Sequence, residues 1–185
     1  MRITKLKFML VALVGLASLA VFISSGTSQA APLLENRTNA QWRGTESFSV
    51  TGAGPNVARC GAFPENIELS FAGSGIDTQG GAFNVVASAC TNTVTNLIFD
   101  LKATDTYVQS GDQVFIEADS FVQVINPENC VASNSHAVMG RVAGGTGGHA
   151  GASGHARFHF ANNITPCNGQ NAPAHVWFEG VVMLP

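Results

Sequence analysis

The chain has 185 residues, of which only 11% are charged, and a formal net charge of −3. This length suits one folded domain with a single core. Acidic residues outnumber basic ones by 12 to 9, which argues against nucleic acid and anionic membrane surfaces as partners, because both repel a negative protein surface.

The N-terminus has the three parts of a secretory signal peptide. Three basic residues precede an apolar run over residues 8–23, and Ser28-Gln29-Ala30 supplies the small residues that a signal peptidase reads. We therefore predict residues 1–30 to be cleaved and residues 31–185 to form one secreted or periplasmic domain. An uncleaved anchor is the alternative, but the run is shorter than the ~20 residues of a spanning helix. The remaining part holds six basic and all 12 acidic residues. Its net charge is −6, and no second apolar run is long enough to span a membrane as a helix.

The rest of the chain is patterned almost entirely as β-strand. Residues 33–40 predict a short helix or an ordered lead-in. Ser110-Gly111-Asp112 is typical of a hairpin turn. Alternating or buried-type runs predict eight to nine strands, with 114–125 as one long strand: 47–50, 67–71, 82–89, 96–101, 104–108, 114–125, 137–139, 156–160 and 176–184. The fold class is therefore all-β.

Four cysteines in an exported chain indicate two disulfides. Three pairings are possible for Cys60, Cys90, Cys130 and Cys167. We favour Cys60–Cys90 and Cys130–Cys167, because each pair brackets a strand-rich segment. Wide spacings without a CxxC motif argue against a zinc site, so no metal and no cofactor is expected.

A glycine-rich corner lies between two predicted strands. Glycine is used where the backbone needs a positive φ or a close approach to another backbone. A strand–turn–strand corner of this kind suits a closed antiparallel barrel. The glycines of the corner are Gly144, Gly145, Gly147, Gly151 and Gly154.

This corner resembles that of the allene oxide cyclase and dirigent-like barrels. The matching pieces are Val142-Ala143-Gly144-Gly145-Thr146-Gly147, then Gly151-Ala152-Ser153-Gly154, then the final strand ending Phe178-Glu179-Gly180-Val181-Val182-Met183-Leu184-Pro185. Upstream, Ser110-Gly111-Asp112-Gln113 resembles the hairpin of bacterial relatives. The resemblance implies a single antiparallel barrel of about eight strands. With the signal peptide, it is typical of a secreted bacterial member.

The resemblance implies several activities without selecting one. Plant allene oxide cyclases close a ring in a hydrophobic barrel, and dirigent proteins steer the coupling of phenol radicals. Both kinds form trimers, so a homo-oligomer is expected from the resemblance. The cyclases carry an active-site glutamate on the first strand. The corresponding run here has a glutamate only at its start, Glu46, and the role is not carried over.

Three candidate catalytic residues follow from the patterns. Glu117 shares a strand face with Phe115 and Phe121, and Tyr107 is the only tyrosine; a carboxyl among aromatics can be a general acid, and a phenol can be a donor. Glu46 is the third candidate. The simpler alternatives are an exposed charge for Glu117 and a hydrogen-bonded, half-buried Tyr107.

A stripe of basic residues on one predicted strand is a candidate metal site. His155, Arg157 and His159 alternate and share one strand face, with His149 close by in sequence. Imidazoles four residues apart on a strand lie about 13 Å apart, too far for one metal ion. The pattern therefore favours a solvated outer face opposite a phenylalanine-lined core.

Two function classes remain. The first is a binding or structural barrel whose interior is filled or holds one small apolar ligand. The second is a barrel-templated cyclase or isomerase that holds a flexible substrate in a reactive conformation. A cavity with an inward glutamate or tyrosine would favour the enzyme, whereas a filled barrel would favour the structural role.

Overall fold

The structure, a computed structural model, describes residues 38–126, 128, 131–134, 136–163 and 173–185. The predicted signal peptide lies outside these residues, and its cleavage stays a prediction. In the part of the chain that is described, no helix has the length and apolarity needed to cross a membrane. One short helix, α1, spans Val57–Cys60, and ten strands make up nearly everything else: β1 Thr38–Gly54, β2 Asn66–Asp77, β3 Gly81–Asn92, β4 Leu97–Tyr107, β5 Gln113–Ala118, β6 Phe121–Asn126, β7 Val131–Asn134, β8 Val138–Gly145, β9 Ser153–Asn163 and β10 Ala174–Leu184.

The strands close into an eight-stranded antiparallel barrel. The order around the barrel is β1-β2-β3-β4-β5-β8-β9-β10, and β10 pairs with β1 to close it. The short strands β6 and β7 continue the wall at one end, because β6 pairs with the start of β4 and β7 with the end of β9. β5 with β6, and β7 with β8, therefore each occupy the place of one long strand. The predicted all-β barrel is confirmed.

Alternation along each strand separates the core from the surface. On β9 the basic residues His155 and Arg157 are exposed, whereas Ala156 and Phe158 between them are buried, as the sequence pattern predicts. The same alternation on the other strands builds one apolar core. Its buried members include Trp42, Phe83, Val85, Tyr107, Val114, Ile116, Val138, Val142, Ala156, Phe158, Phe160, Val176, Phe178 and Val182.

Several predicted elements need correction. Residues 38–40 belong to β1 and not to a short helix or lead-in, and residues 33–37 lie outside the described part. The two predicted strands over 96–108 are one strand, β4, with a register shift opposite β3. The predicted long strand over 114–125 is interrupted at Asp119-Ser120. Because of this interruption, the residues after it point to the side of the sheet opposite to the one that unbroken alternation predicts.

The segment before β2 is fixed to the outside of the barrel by α1. The Asn56 side chain accepts a hydrogen bond from the backbone N–H of Arg59, at 3.2 Å, and so caps the helix. The Arg59 guanidinium donates to Asp100, with Nε 2.7 Å from Oδ2, and also contacts Glu68. The last helical residue, Cys60, forms the predicted disulfide with Cys90. The second predicted pair, Cys130 and Cys167, lies outside the described residues.

The glycine-rich corner folds onto the β4–β5 hairpin turn. β8 ends at Gly145, a short 3-10 turn covers Gly147–His149, and β9 begins at Ser153. Thr146 exchanges hydrogen bonds with the backbone of Gln113, both at 2.9 Å. A Cβ at Gly145 would overlap the Gln113 carbonyl oxygen, and Gly147 has a φ of +56°. Positive φ values also occur at the other three glycines of the corner, Gly144, Gly151 and Gly154.

We expect Gly147→Val to lower the free energy of unfolding by about 2–3 kcal/mol, the range for strained backbone positions. The left-handed φ disfavours a β-branched residue, and the new side chain would also overlap the Asp112 carboxyl. Equilibrium denaturation measures the effect. The matched control is Gly54→Val, because Gly54 has ordinary φ and no atom within 4 Å of an added Cβ. Equal midpoints for both variants would mean that the corner imposes no backbone constraint.

Candidate functional site

The barrel contains an internal cavity near the end formed by β6 and β7. Its enclosed volume is about 60 Å³, and the wider hollow, including the solvent at its mouth, is about 720 Å³. Eight of the ten described strands contribute to its wall, and nearly all of the wall is apolar. The lining residues are Glu46, Phe48, Phe71, Val85, Ala87, Ile98, Leu101, Ala103, Ile116, Ala118, Phe121, Gln123, Phe158, Phe160 and Ala174.

Small side chains leave this space open. Ala87, Ala103 and Ala118 stand on three neighbouring strands, β3, β4 and β5, where larger residues would fill the interior. Aromatic pairs narrow it from other sides. Phe48 and Phe71 meet edge to face at 5.2 Å between ring centroids, and Phe121 stacks on Phe160 at 5.0 Å. The geometry suits a slender apolar molecule better than a bulky one.

Among the residues that the structure describes, Glu46 is the one ionisable residue that lines the cavity. It lies in the middle of β1 and is flanked by Gly75 of β2 and Val176 of β10. Its position alternates with those of Trp42 and Phe48, so it shares their inward face. Burial raises the pKa of the Glu46 carboxyl to about 7, because the charged form is poorly solvated there.

Asp105 lies on the inner face of β4, between the cavity residue Ala103 and the core residue Tyr107. It is completely buried, with 0% of its surface exposed. Neither of its carboxyl oxygens has a hydrogen-bond partner among the described residues. Burial raises the pKa of Asp105 well above its usual range, and the nearby carboxyls of Glu46 and Asp77 add to the rise.

A third carboxyl, that of Asp77, is surrounded by donors at the far side of the interior. Its Oδ2 accepts from the Trp42 indole at 2.8 Å and from the Tyr107 hydroxyl at 2.6 Å. Its Oδ1 accepts from the backbone N–H groups of Gln79 and Gly80, both at 2.9 Å. This network ties β1, β2 and β4 together. Neither Asp77 nor Tyr107 is among the residues that line the cavity.

The structure separates the three candidate catalytic residues. Only Glu46 lines the cavity. Tyr107 is fully buried, donates to Asp77 and stacks on His149 at 4.8 Å, so it closes the interior. Glu117 lies on the outer face, where its Oε2 accepts from Nε of Arg141 at 2.9 Å. The expectation that Glu117 shares a face with Phe121 is wrong, because the interruption after β5 turns Phe121 into the cavity.

The basic stripe lies on the outside of the barrel. His155 and Arg157 are exposed, and His159 stacks on the exposed Trp177 at 4.7 Å. His149 is not part of this stripe, since it covers Tyr107 at the end of the barrel. Across the described residues, no three histidine, cysteine, aspartate or glutamate side chains are grouped so as to hold a metal ion.

Sequence reasoning missed Asp105 and Asp77, and it named Glu46 only as one of three candidate catalytic residues. The signal for Asp105 was present, because the run Leu101, Ala103, Asp105 and Tyr107 alternates and places an aspartate on the apolar face of β4. Asp77 gave a weaker signal, since it comes at the end of a strand where turn residues are common. The predicted strand 47–50 begins just after Glu46, whereas β1 begins eight residues before it, so Glu46 lies inside the strand.

The fold and the site together define a closed antiparallel β-barrel with an apolar interior cavity that carries a carboxyl group. No protein-family model and no curated protein matches the chain. Solved structures that are similar to it include two pterocarpan synthase dirigent proteins. One is the pterocarpan synthase dirigent protein GePTS1, with 10% identity, a TM-score of 0.49, and coverage of 87% of this chain and 99% of that one. The other is the pterocarpan synthase dirigent protein PsPTS1, with 13% identity, a TM-score of 0.49, and coverage of 81% and 96%.

Proposed function

We propose that the protein binds one small, largely apolar molecule inside its barrel, with Glu46 as the polar contact. The observation that carries this proposal is the cavity itself, which has an apolar wall and one inward carboxyl. Ligand sites commonly combine these two features, because apolar surface supplies affinity and a few polar groups fix the orientation. The disulfide between Cys60 and Cys90 supports a site of action outside the cytoplasm.

The apolar wall supplies the binding free energy in this proposal. Each CH₂ group of the ligand that moves from water into the cavity contributes about 0.8 kcal/mol. The polar end of the ligand meets Glu46, whose carboxyl forms no hydrogen bond with another described residue. A purely apolar molecule would leave that carboxyl buried without a partner, which costs free energy. The expected ligand therefore has an apolar body and one polar end.

A second candidate is a cyclase or isomerase that uses the barrel as a template. The observation in its favour is that burial brings the pKa of Glu46 to about 7, where a carboxyl can both hold and release a proton near neutral pH. The cavity wall would hold a flexible substrate in a reactive conformation. Glu46 would donate to, or accept from, the reacting atom.

Calorimetric titration with 4-phenylbutan-1-ol tests the binding proposal. We expect one molecule to bind per chain, and we expect Ala103→Phe to weaken binding by at least about 10-fold, because the added ring occupies the cavity. Val86→Phe is the matched control. Val86 lies on the adjacent strand β3 but is 65% exposed, so the same ring there would leave the cavity open.

Denaturation midpoints would show whether both variants are folded. Ala118→Phe, which fills the same cavity from β5, replaces Ala103→Phe if that variant does not fold. The absence of binding to the parent protein, or equal loss of affinity in Ala103→Phe and Val86→Phe, would contradict the proposal.

A further inference from the structure

The ionisable groups inside the barrel are all acids or phenols. They are Glu46 from β1, Asp77 from β2, and Asp105 and Tyr107 from β4. No lysine, arginine or histidine is among the residues that line the cavity. The basic residues of β8 and β9, including Arg141, His155 and Arg157, are on the outer face. Within the described part of the chain, the cavity therefore lacks a positive charge to balance its carboxyls.

Two of these acids, Glu46 and Asp105, have no hydrogen-bond partner among the described residues. Asp77 has four donors, from Trp42, Tyr107 and two backbone N–H groups, and needs no ligand. Asp105 has none, although it is completely buried. Buried polar atoms in folded proteins almost always have partners, so an orphaned carboxyl beside a cavity points to a group that arrives with a ligand.

The charge of the interior indicates which polar group the ligand carries. A carboxylate on the ligand would be repelled by ionised Glu46, and a neutral hydroxyl could form a hydrogen bond with that carboxyl but could not balance its charge. A protonated amine supplies one positive charge and three N–H donors. In a poorly solvated interior, the attraction between an ammonium and a carboxylate is much stronger than in water.

We infer that the ligand of the barrel is an apolar amine, whose ammonium group pairs with Glu46 in an interior that also holds the unpartnered carboxyl of Asp105. This inference rests on the proposed ligand-binding function. The apolar body lies along Phe48, Leu101 and Phe121, and the ammonium points toward the interior. The inference goes beyond the proposed function, because a barrel that binds an apolar molecule does not by itself require a positively charged ligand.

Three probes with the same phenylbutyl body distinguish the possible polar ends: 4-phenylbutylamine, 4-phenylbutan-1-ol and 4-phenylbutanoate. At pH 7.5 we expect the amine to bind at least about 10-fold more tightly than the alcohol, and the carboxylate to bind most weakly. Glu46→Gln is expected to reduce the amine's advantage over the alcohol to a few-fold. Asp105→Asn is expected to reduce it less.

Glu117→Gln is the matched control, because it removes a carboxyl from the outer face and should leave the amine preference unchanged. A further readout is proton release. At pH 6, binding of the amine to a protonated Glu46 should release protons to the buffer, which calorimetry in buffers of different ionisation enthalpy would detect. The alcohol should release none.

Equal affinity for amine and alcohol in the parent protein would overturn the inference and leave the proposed function standing. An amine preference that survives both Glu46→Gln and Asp105→Asn would also overturn it. Failure of all three probes to bind would overturn both the inference and the proposed function.

Discussion

Asp77→Ala is expected to destabilise the barrel by about 3–5 kcal/mol, since buried donors left without acceptors cost roughly 1–3 kcal/mol each. The carboxyl accepts from the Trp42 indole and the Tyr107 hydroxyl, and both of these residues are only 2% exposed. It also holds the turn between β2 and β3 through two backbone N–H groups. Chemical denaturation monitored by tryptophan fluorescence measures the loss.

Two other variants calibrate this result. Tyr107→Phe removes one donor but leaves the other three on Asp77, so its cost should be only about 1–2 kcal/mol. Asp119→Ala removes an exposed carboxyl whose side chain forms no hydrogen bond with another described residue, and it should change stability by no more than about 0.5 kcal/mol. If Asp77→Ala were no more destabilising than Asp119→Ala, the network would not contribute to the stability of the interior.

The barrel is expected to lose stability as the pH rises from about 4.5 through 7. Burial raises the pKa of Glu46 from 4.5 in the unfolded chain to about 7 in the folded one, so the folded protein binds more protons in this window. The stabilisation from protonated Glu46 is complete below about 4.5 and is lost as the pH passes 7. The raised pKa of Asp105 likewise makes the folded state less stable as the pH rises. Each carboxyl contributes at most about 1.4 kcal/mol per pH unit.

The difference between parent and Asp105→Asn isolates the contribution of Asp105 from those of Glu46 and the other titrating groups. Asparagine keeps the shape of the protonated acid but cannot ionise, so the variant should resist denaturant better than the parent at pH 8 and show a flatter pH dependence. The comparison is needed because Asp100, beside Arg59, has a lowered pKa and gives the opposite trend at acid pH. Parallel pH profiles for the two proteins would contradict the assignment.

The barrel could be predicted from sequence because its signals are local. The glycine-rich corner, the turn at Ser110-Gly111-Asp112 and the alternation of β9 each depend on neighbouring residues. The turn joins β4 to β5, where the Tyr107 N–H donates to the carbonyl of Asp112. The alternation of β9 predicted correctly which of its residues are exposed.

The site could be predicted only in part, because it depends on contacts between distant strands. Because β5 is interrupted at Asp119-Ser120, Phe121 points into the barrel whereas Glu117 points outward. No residue pattern in the sequence marks that change. Not every phenylalanine lies in the interior, since Phe63 is 71% exposed. The three alanines on β3, β4 and β5 keep the interior open, and their alignment depends on strand register.

The position of 4-phenylbutylamine bound to the methyl-labelled protein, determined from nuclear Overhauser contacts, tests most directly whether the ligand binds inside the barrel. We expect the phenyl protons to contact the methyl groups of Leu101 and Ile116, which line the cavity. Outward methyl groups such as those of Val86 and Val181, which are 65% and 46% exposed, should show no contact. Contacts confined to these outward groups, or the absence of any contact at saturating ligand, would contradict the claim that the barrel interior is the binding site.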